Sequence, residues 1–328
     1  MPVARVAVVG AGVMGCAAAW ALTERGADVT VLEQFELDHA RGSSHGRSRI
    51  VRLAYPDPAW VRLAGEAMAG WRDLEAESGQ KLLALHGLVE LAPSPELTSA
   101  AALDACGAEY RFLEPRETLA RGVTPPPGWS ALYQPEAGIV HADRARAAFL
   151  EAARRRGAEV ETGRRVDSLD DVAADVVVVT AGAWVTKLVP DVPVRVTRET
   201  VAYFRREGPP VPSVVELSEA TRGHAMYALY DPLHGLKAGA HHIGPEADPD
   251  EAGRPRGATV ASIAAWVLRT LPGDPQPVEI DTCIYTSTAD ESFLLERRGR
   301  VVVGSACSGH GFKFAPAVGR RLAALALE

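Results

Sequence analysis

Residues 5–33 constrain this chain more than any other stretch. The apolar run Val6-Ala7-Val8-Val9 reads as a buried strand, Gly10-Ala11-Gly12-Val13-Met14-Gly15 as a tight turn opening a helix, and Val29-Thr30-Val31-Leu32 as a second strand ending at Glu33. Strand, glycine turn, helix, strand and acid in this order specify a β-α-β unit whose turn faces a pyrophosphate. Gly10 allows the turn, Gly12 lets the backbone approach the phosphates and Gly15 permits close helix packing. Val13 and Met14 begin the helix, where oriented N–H groups meet an anion. A carboxylate at position 33 accepts hydrogen bonds from an adenosine ribose and repels a 2′-phosphate. The motif does not separate NAD from FAD.

Around this unit, strand signals fall at 3–9, 29–32, 176–180, 278–285 and 301–303, and helical patterns at 15–25, 59–78, 142–156, 258–271 and from 315 onward. That alternation implies an α/β fold. Stretches 88–91, 195–205 and 227–241 alternate as antiparallel strands do, which predicts a second, β-rich layer. A hydrophobic content of 47% supplies a substantial core, and 35 basic residues against 42 acidic ones leave a net charge of −7, which disfavours nucleic acid as a partner. No apolar run is long enough for a membrane span and no leader pattern precedes residue 3, so a cytoplasmic protein is expected. The four cysteines form no CxxC pair or metal-ligand cluster, and no metal is expected.

Three further motifs, RGSSHGRSRIVRLAY over 41–55, CIYT over 283–286 and GHGFKF over 309–314, stand in this order along the chain. Together they resemble monomeric sarcosine oxidase and its relatives, the N-methyltryptophan and pipecolate oxidases of the D-amino-acid-oxidase-like flavoproteins. The resemblance covers nearly the whole chain. It implies a Rossmann-like FAD-binding domain, from 1–83, 142–198 and 286–328, interleaved with a mixed β-sheet substrate domain from 84–141 and 199–285. The implied protein is a monomer that oxidises a secondary amine or amino acid with O2, passing a hydride equivalent to FAD and releasing H2O2 after imine hydrolysis.

Site residues follow from the motifs and from the strand period of two. Cys283 and Tyr285 share a face. Spacing alone reads Cys283 as a small buried hydrophobe; the resemblance implies a thioether to the 8α-methyl of the flavin and a substrate-facing Tyr285. For Cys16, Cys106 and Cys307 the ordinary buried thiol is retained. Lys237, Gly239 and His241 also share a face with small apolar flanks, and the glycine leaves room for a flat ring. By resemblance Lys237 lies over the flavin and assists its reaction with O2, as a preorganised cation would. His45, Arg49 and Arg52 form a basic cluster after a glycine-serine turn. The resemblance places His45 and Arg49 against the flavin, and Arg52 with Lys313 on the substrate carboxylate, a task suited to a planar guanidinium fork. Arg47 is read as solvated. Ser43, Ser44, Val166, Gly182, Trp184, Gly309, His310, Gly311 and Lys313 are expected along FAD, the GHG segment through its backbone N–H groups, and Tyr227 or Tyr230 and His241 in the pocket.

The chain is shorter than typical members of this group around 213–230 and 241–257, stretches that would form the pocket wall, so a bulkier or cyclic amino acid is an expected substrate. Two other readings stay open. One is a flavin dehydrogenase with a protein or quinone acceptor; the other is a non-catalytic flavin-binding or NAD-binding protein, which leaves Arg52, Lys313 and Cys283 without a reason to occur together.

Overall fold

A computed structural model describes residues 3–206, 208–217, 226–271, 273–274 and 276–328. The expected α/β architecture is present as two large sheets and a small one.

The first large sheet has six strands in the order Leu294–Arg298, Val301–Ser305, Val176–Val179, Arg5–Val9, Asp28–Leu32 and Glu159–Glu161. Its neighbours run parallel except the Leu294–Arg298 and Val301–Ser305 pair. Val176 to Val179 are buried without alternation, as a strand covered on both faces must be. On one face the helix Val13–Glu24 is wedged between the helices Ala142–Arg155 and Ala315–Leu327. Its alanines make that possible: residues 13–23 are buried all round, so small side chains are needed on every side. A Cβ at Gly319 would come within 2.5 Å of Ala17 O, which fixes how closely the terminal helix approaches.

The second large sheet has eight strands, in the order Pro277–Ser287, Arg195–Phe204, Gly235–Ala240, Met226–Asp231, Ser213–Glu216, Leu88–Ala92, Ser130–Gln134 and Arg111–Phe112. All pairs are antiparallel except Ser213–Glu216 with Leu88–Ala92. The helix Gly257–Thr270 covers one face, seating Ile263, Trp266 and Val267 with Ala202, Phe204, Leu236 and Ala238. The small sheet joins Ser48–Val51, Gly138–His141 and Leu83–Leu85. It draws strands from both sides of sequence position 83/84.

Helix limits follow the chemistry of their ends. The helix Pro58–Ser78 starts with Asp57 accepting the Ala59 N–H at 2.7 Å and Pro58 in the first turn, and stops at Gly79 in the left-handed conformation, φ 67°. Among the described residues no helix is long and apolar enough to cross a membrane.

Candidate active site

One cleft gathers nearly every residue singled out from the sequence. Its walls include Gly10, Gly12, Val13, Met14, Glu33, Ser43, Ser44, His45, Arg49, Arg52, Val166, Gly182, Trp184, Tyr227, Lys237, His241, Cys283, Tyr285, Gly309, His310, Gly311 and Lys313. Gly15 lies beneath the wall: a Cβ there would meet Gly10 O at 1.8 Å, so its absence lets the helix begin under the turn.

The glycine turn is held from several sides. Gly10 has φ +101°, and a Cβ would sit 2.7 Å from Thr180 O. Glu33 is buried and accepts the Ala11 N–H at 2.7 Å and the Phe35 N–H at 3.0 Å, leaving a lone pair on each oxygen for a ribose. Ser44 Oγ accepts the Val13 N–H at 2.9 Å, while Ser43 Oγ donates to Ile284 O, so the 41–49 loop ties the turn to the eight-stranded sheet. The Trp184 indole donates to Asp250 at 2.6 Å and packs on Phe35.

Four of the cations that line the cleft were singled out from the sequence: Arg49, Arg52, Lys237 and Lys313. Arg49 donates to Ser48 O, Ser43 O and His45 O, so it braces the loop while facing the cleft. His45 places Nε2 3.5 Å from Asp281, and among the described residues its buried Nδ1 has no hydrogen-bond partner. Lys237, 5% exposed, has a pKa pushed down to about 7, first by burial and then by Arg49. Lys313 donates to Tyr55 Oη at 2.8 Å and His310 O at 2.7 Å, and its pKa is pushed well below the ordinary lysine range by burial and by Arg52. Arg52 lies 4.5 Å over the Tyr55 ring, with Glu90 Oε2 3.7 Å away and its Nε without a partner among the described residues. Burial raises the Glu90 pKa, Arg52 and Ser99 partly countering it.

Cys283 and Tyr285 both reach the cleft, as the strand period required. Burial pushes the Cys283 thiol up, against the pull of Lys237 and Arg49. Tyr285 Oη lies 3.2 Å from His241 Nδ1. Gly309, at φ +71°, has no room for a Cβ, which would sit 2.4 Å from the Tyr285 ring and 2.6 Å from His241.

Some details differ from the sequence reading. The space at Gly239 is filled by the Tyr227 ring, whose Oη would lie 2.6 Å from a Cβ there. Of the two pocket tyrosine candidates, Tyr227 lines the cleft, whereas Tyr230 packs in the core beneath Gly257–Thr270. The N–H groups of His310 and Gly311 both donate to Cys307 O, closing a turn, so they are engaged within the segment. Residues 218–225, inside one of the shortened stretches, lie outside the described residues. Two residues without an assigned role emerge as site partners, Glu90 and Tyr55. Glu90 had a signal, since a carboxylate in the apolar strand Leu88–Ala92 needs a buried partner.

Comparison with known proteins agrees with this geometry. A family model described as FAD dependent oxidoreductase matches residues 5–325. The chain belongs to that family. It is 33% identical to human peroxisomal sarcosine oxidase, over 98% of this chain and 91% of that protein. It is also 33% identical to monomeric sarcosine oxidase of Streptomyces avermitilis, over 99% and 94%. Among solved structures it superposes with a TM-score of 0.85 on NikD, described as an unusual amino acid oxidase essential for nikkomycin biosynthesis, at 25% identity and covering 100% of this chain and 95% of that one.

The residues fit FAD. The glycine turn has a backbone no side chain could follow, the helix behind it carries no acidic residue in its first turn, and buried Glu33 stands at the strand end.

Proposed function

We propose that this FAD-dependent oxidoreductase is an oxidase of a carboxylate-bearing secondary amine or amino acid. The observation that carries the proposal is the pair Arg52 and Lys313: both are buried in the cleft, and among the described residues the one carboxylate within ion-pair distance of either is Glu90, 3.7 Å from Arg52. A substrate carboxylate answers that excess of positive charge and meets the free side of the guanidinium. It also opposes the effect of burial and Arg52 on Lys313, favouring the protonated ammonium.

The FAD half comprises the six-stranded sheet and its helices, with Gly10, Gly12, Val13, Met14 and Glu33 holding the dinucleotide beside Ser43, Ser44, Val166, Gly182 and Trp184. The eight-stranded sheet presents Lys237, Tyr227, His241 and Tyr285 across the cleft. Cys283 would hold the cofactor through an 8α thioether; burial pushes its thiol up, and Lys237 and Arg49 partly counter that. When bound, FAD supplies a two-electron acceptor that takes a hydride equivalent from the substrate C–H and returns the pair to O2 as H2O2. Arg52 and Lys313 orient the substrate and fix which carbon faces the ring. Arg49 and His45 fix the loop along the ring, and Lys237 supplies the cation that stabilises charge developing on oxygen. The substrate amine reacts as the neutral base, so its oxidation rises with pH on the acid side. The imine hydrolyses to an oxo product and an amine. The protein acts as a cytoplasmic monomer.

The test is a panel of N-methyl, cyclic and primary amino acids mixed anaerobically with the yellow protein, followed by air and H2O2 detection. An oxidase bleaches with at least one carboxylate-bearing amine and recovers its colour in air with stoichiometric H2O2. Failure of every amine to bleach the flavin would refute the enzyme. Bleaching without reoxidation by air would make it a dehydrogenase.

A further inference from the structure

We infer that His241, His242 and Glu291 form a binding site for a divalent transition cation of the zinc class, at the rim of the cleft. Among the described residues these three form the one set of histidine, cysteine or acidic side chains whose ligand atoms all lie within 4.8 Å of one another. The two imidazole rings have centroids 4.2 Å apart, and His242 Nε2 stands 3.5 Å from Glu291 Oε1. Two nitrogens and one carboxylate oxygen make a borderline donor set, which suits Zn²⁺ held by three protein ligands with a fourth position open to water.

The backbone at this place is unusual. The described chain has three non-glycine residues with positive φ: His242 at 55°, Glu291 at 61° and Ser308 at 40°. Two of them are proposed ligands. The third, Ser308, donates from Oγ to Ser292 O at 3.2 Å, beside Glu291. Left-handed backbone costs free energy for residues with a Cβ, and it persists where surrounding bonds over-determine it. Those bonds are present on both sides. Glu199, 1% exposed, accepts the N–H groups of Ile243 and Gly244 at 3.2 and 2.8 Å, holding the chain just after His242. On the other side Asp290 accepts from Thr288 Oγ1, Ser292 N and Ser292 Oγ, and Glu291 O lies 3.0 Å from His310 Nε2. Each ligand loop is therefore held in place by its own polar partners before any ion arrives, as a metal site requires.

His242 and Glu291 are partly exposed, so an ion can enter from solvent. His241 lines the cleft and meets Tyr285, so the ion would pin the loop after Gly235–Ala240 to the loop after Pro277–Ser287. The alternative is a simple histidine-glutamate ion pair, which needs no third ligand and takes up no metal.

Calorimetric titration of untagged holoprotein with ZnCl2 near neutral pH decides between these. The expected result is one Zn²⁺ per chain, with affinity falling roughly tenfold or more in His242→Asn and again in Glu291→Gln. Asparagine tolerates the left-handed backbone, and the Glu291 side chain is partly exposed, so both variants keep the fold, verified by their retained yellow colour. No saturable uptake by the wild-type protein, or uptake that neither variant weakens, overturns the site.

Discussion

Replacing Lys237 by methionine should stabilise the protein, by an amount that depends on pH. Methionine keeps the unbranched length and volume and removes only the ammonium group. The pKa of Lys237 stands at about 7 in the folded chain, against an ordinary 10.5. That difference corresponds to a penalty on the order of 5 kcal/mol for keeping the charge in the fold, at about 1.36 kcal/mol per unit. Below pH 7 both the folded and the unfolded chain are protonated, and the penalty is fully present. Between 7 and 10.5 the unfolded chain binds one proton more than the folded one, so wild-type stability gains about 1.4 kcal/mol per pH unit. Above 10.5 the penalty has gone.

With 328 residues the entropy of unfolding is about 0.7 kcal/mol/K, so the full penalty amounts to about 7 °C in Tm. At pH 9 about 1.5 units of the difference remain, worth about 2 kcal/mol or 3 °C. The assay is thermal unfolding of wild-type and Lys237→Met holoprotein by circular dichroism, from pH 6 to pH 9. Titrating groups that do not interact with Lys237 cancel in the difference between the two proteins. The variant should lead by about 7 °C at pH 6 and by less than half of that at pH 9. A lead that does not shrink with rising pH, or a wild type that is the more stable at pH 6, would refute a cation destabilised by burial.

Arg52→Met should raise KM for carboxylate substrates while sparing amines that lack the group. It should also lower stability in denaturant melts by about 3 kcal/mol or more, because Glu90 loses its buried partner; adding Glu90→Gln should recover most of the stability and none of the binding. Cys283→Ala should yield protein whose yellow colour leaves on acid precipitation and whose chain mass is unmodified, whereas the wild-type chain should keep the colour and carry the added mass of FAD. Gly309→Ala places a methyl 2.4 Å from the Tyr285 ring at φ +71°, so kcat/KM should fall well beyond tenfold with flavin content retained, measured by steady-state kinetics and absorbance.

What was legible in the sequence is what is local. The turn at Gly10 lies between two strands that both end within 25 residues of it, so short-range patterning suffices to place strand, turn, helix and acid. The helix Pro58–Ser78 carries its own start and stop at Asp57 and Gly79. The same-face rule for Cys283 and Tyr285 follows from strand alternation alone. Pairings between distant segments were not legible: nothing within Ser213–Glu216 specifies that it runs parallel to Leu88–Ala92, and nothing within Ser48–Val51 specifies Gly138–His141 as its neighbour. Those registers are chosen by burial of whole faces, which a single segment does not encode. The grouping of His241, His242 and Glu291 was not legible for the same reason, since only the folded sheets bring position 242 beside 291.

The violations of local patterning mark the site better than the conforming segments do. Lys237 interrupts a strand of glycine, alanine and leucine, and Glu90 interrupts one of leucine, valine and alanine. By burial alone either position favours an apolar side chain, and each charge costs several kcal/mol of desolvation unless something answers it. Glu90 is answered by Arg52 and by Ser99, whose N–H and hydroxyl it accepts at 2.7 and 2.8 Å. Among the described residues neither Lys237 nor Lys313 has a carboxylate within ion-pair distance; burial and Arg49 push the Lys237 pKa lower, with Asp281 and Asp143 partly countering, and burial and Arg52 push that of Lys313 lower. A fold that accumulates like charges around a cleft is less stable than it could be. The diphosphate of FAD and, on the proposed function, a substrate carboxylate would each bring negative charge into that cleft.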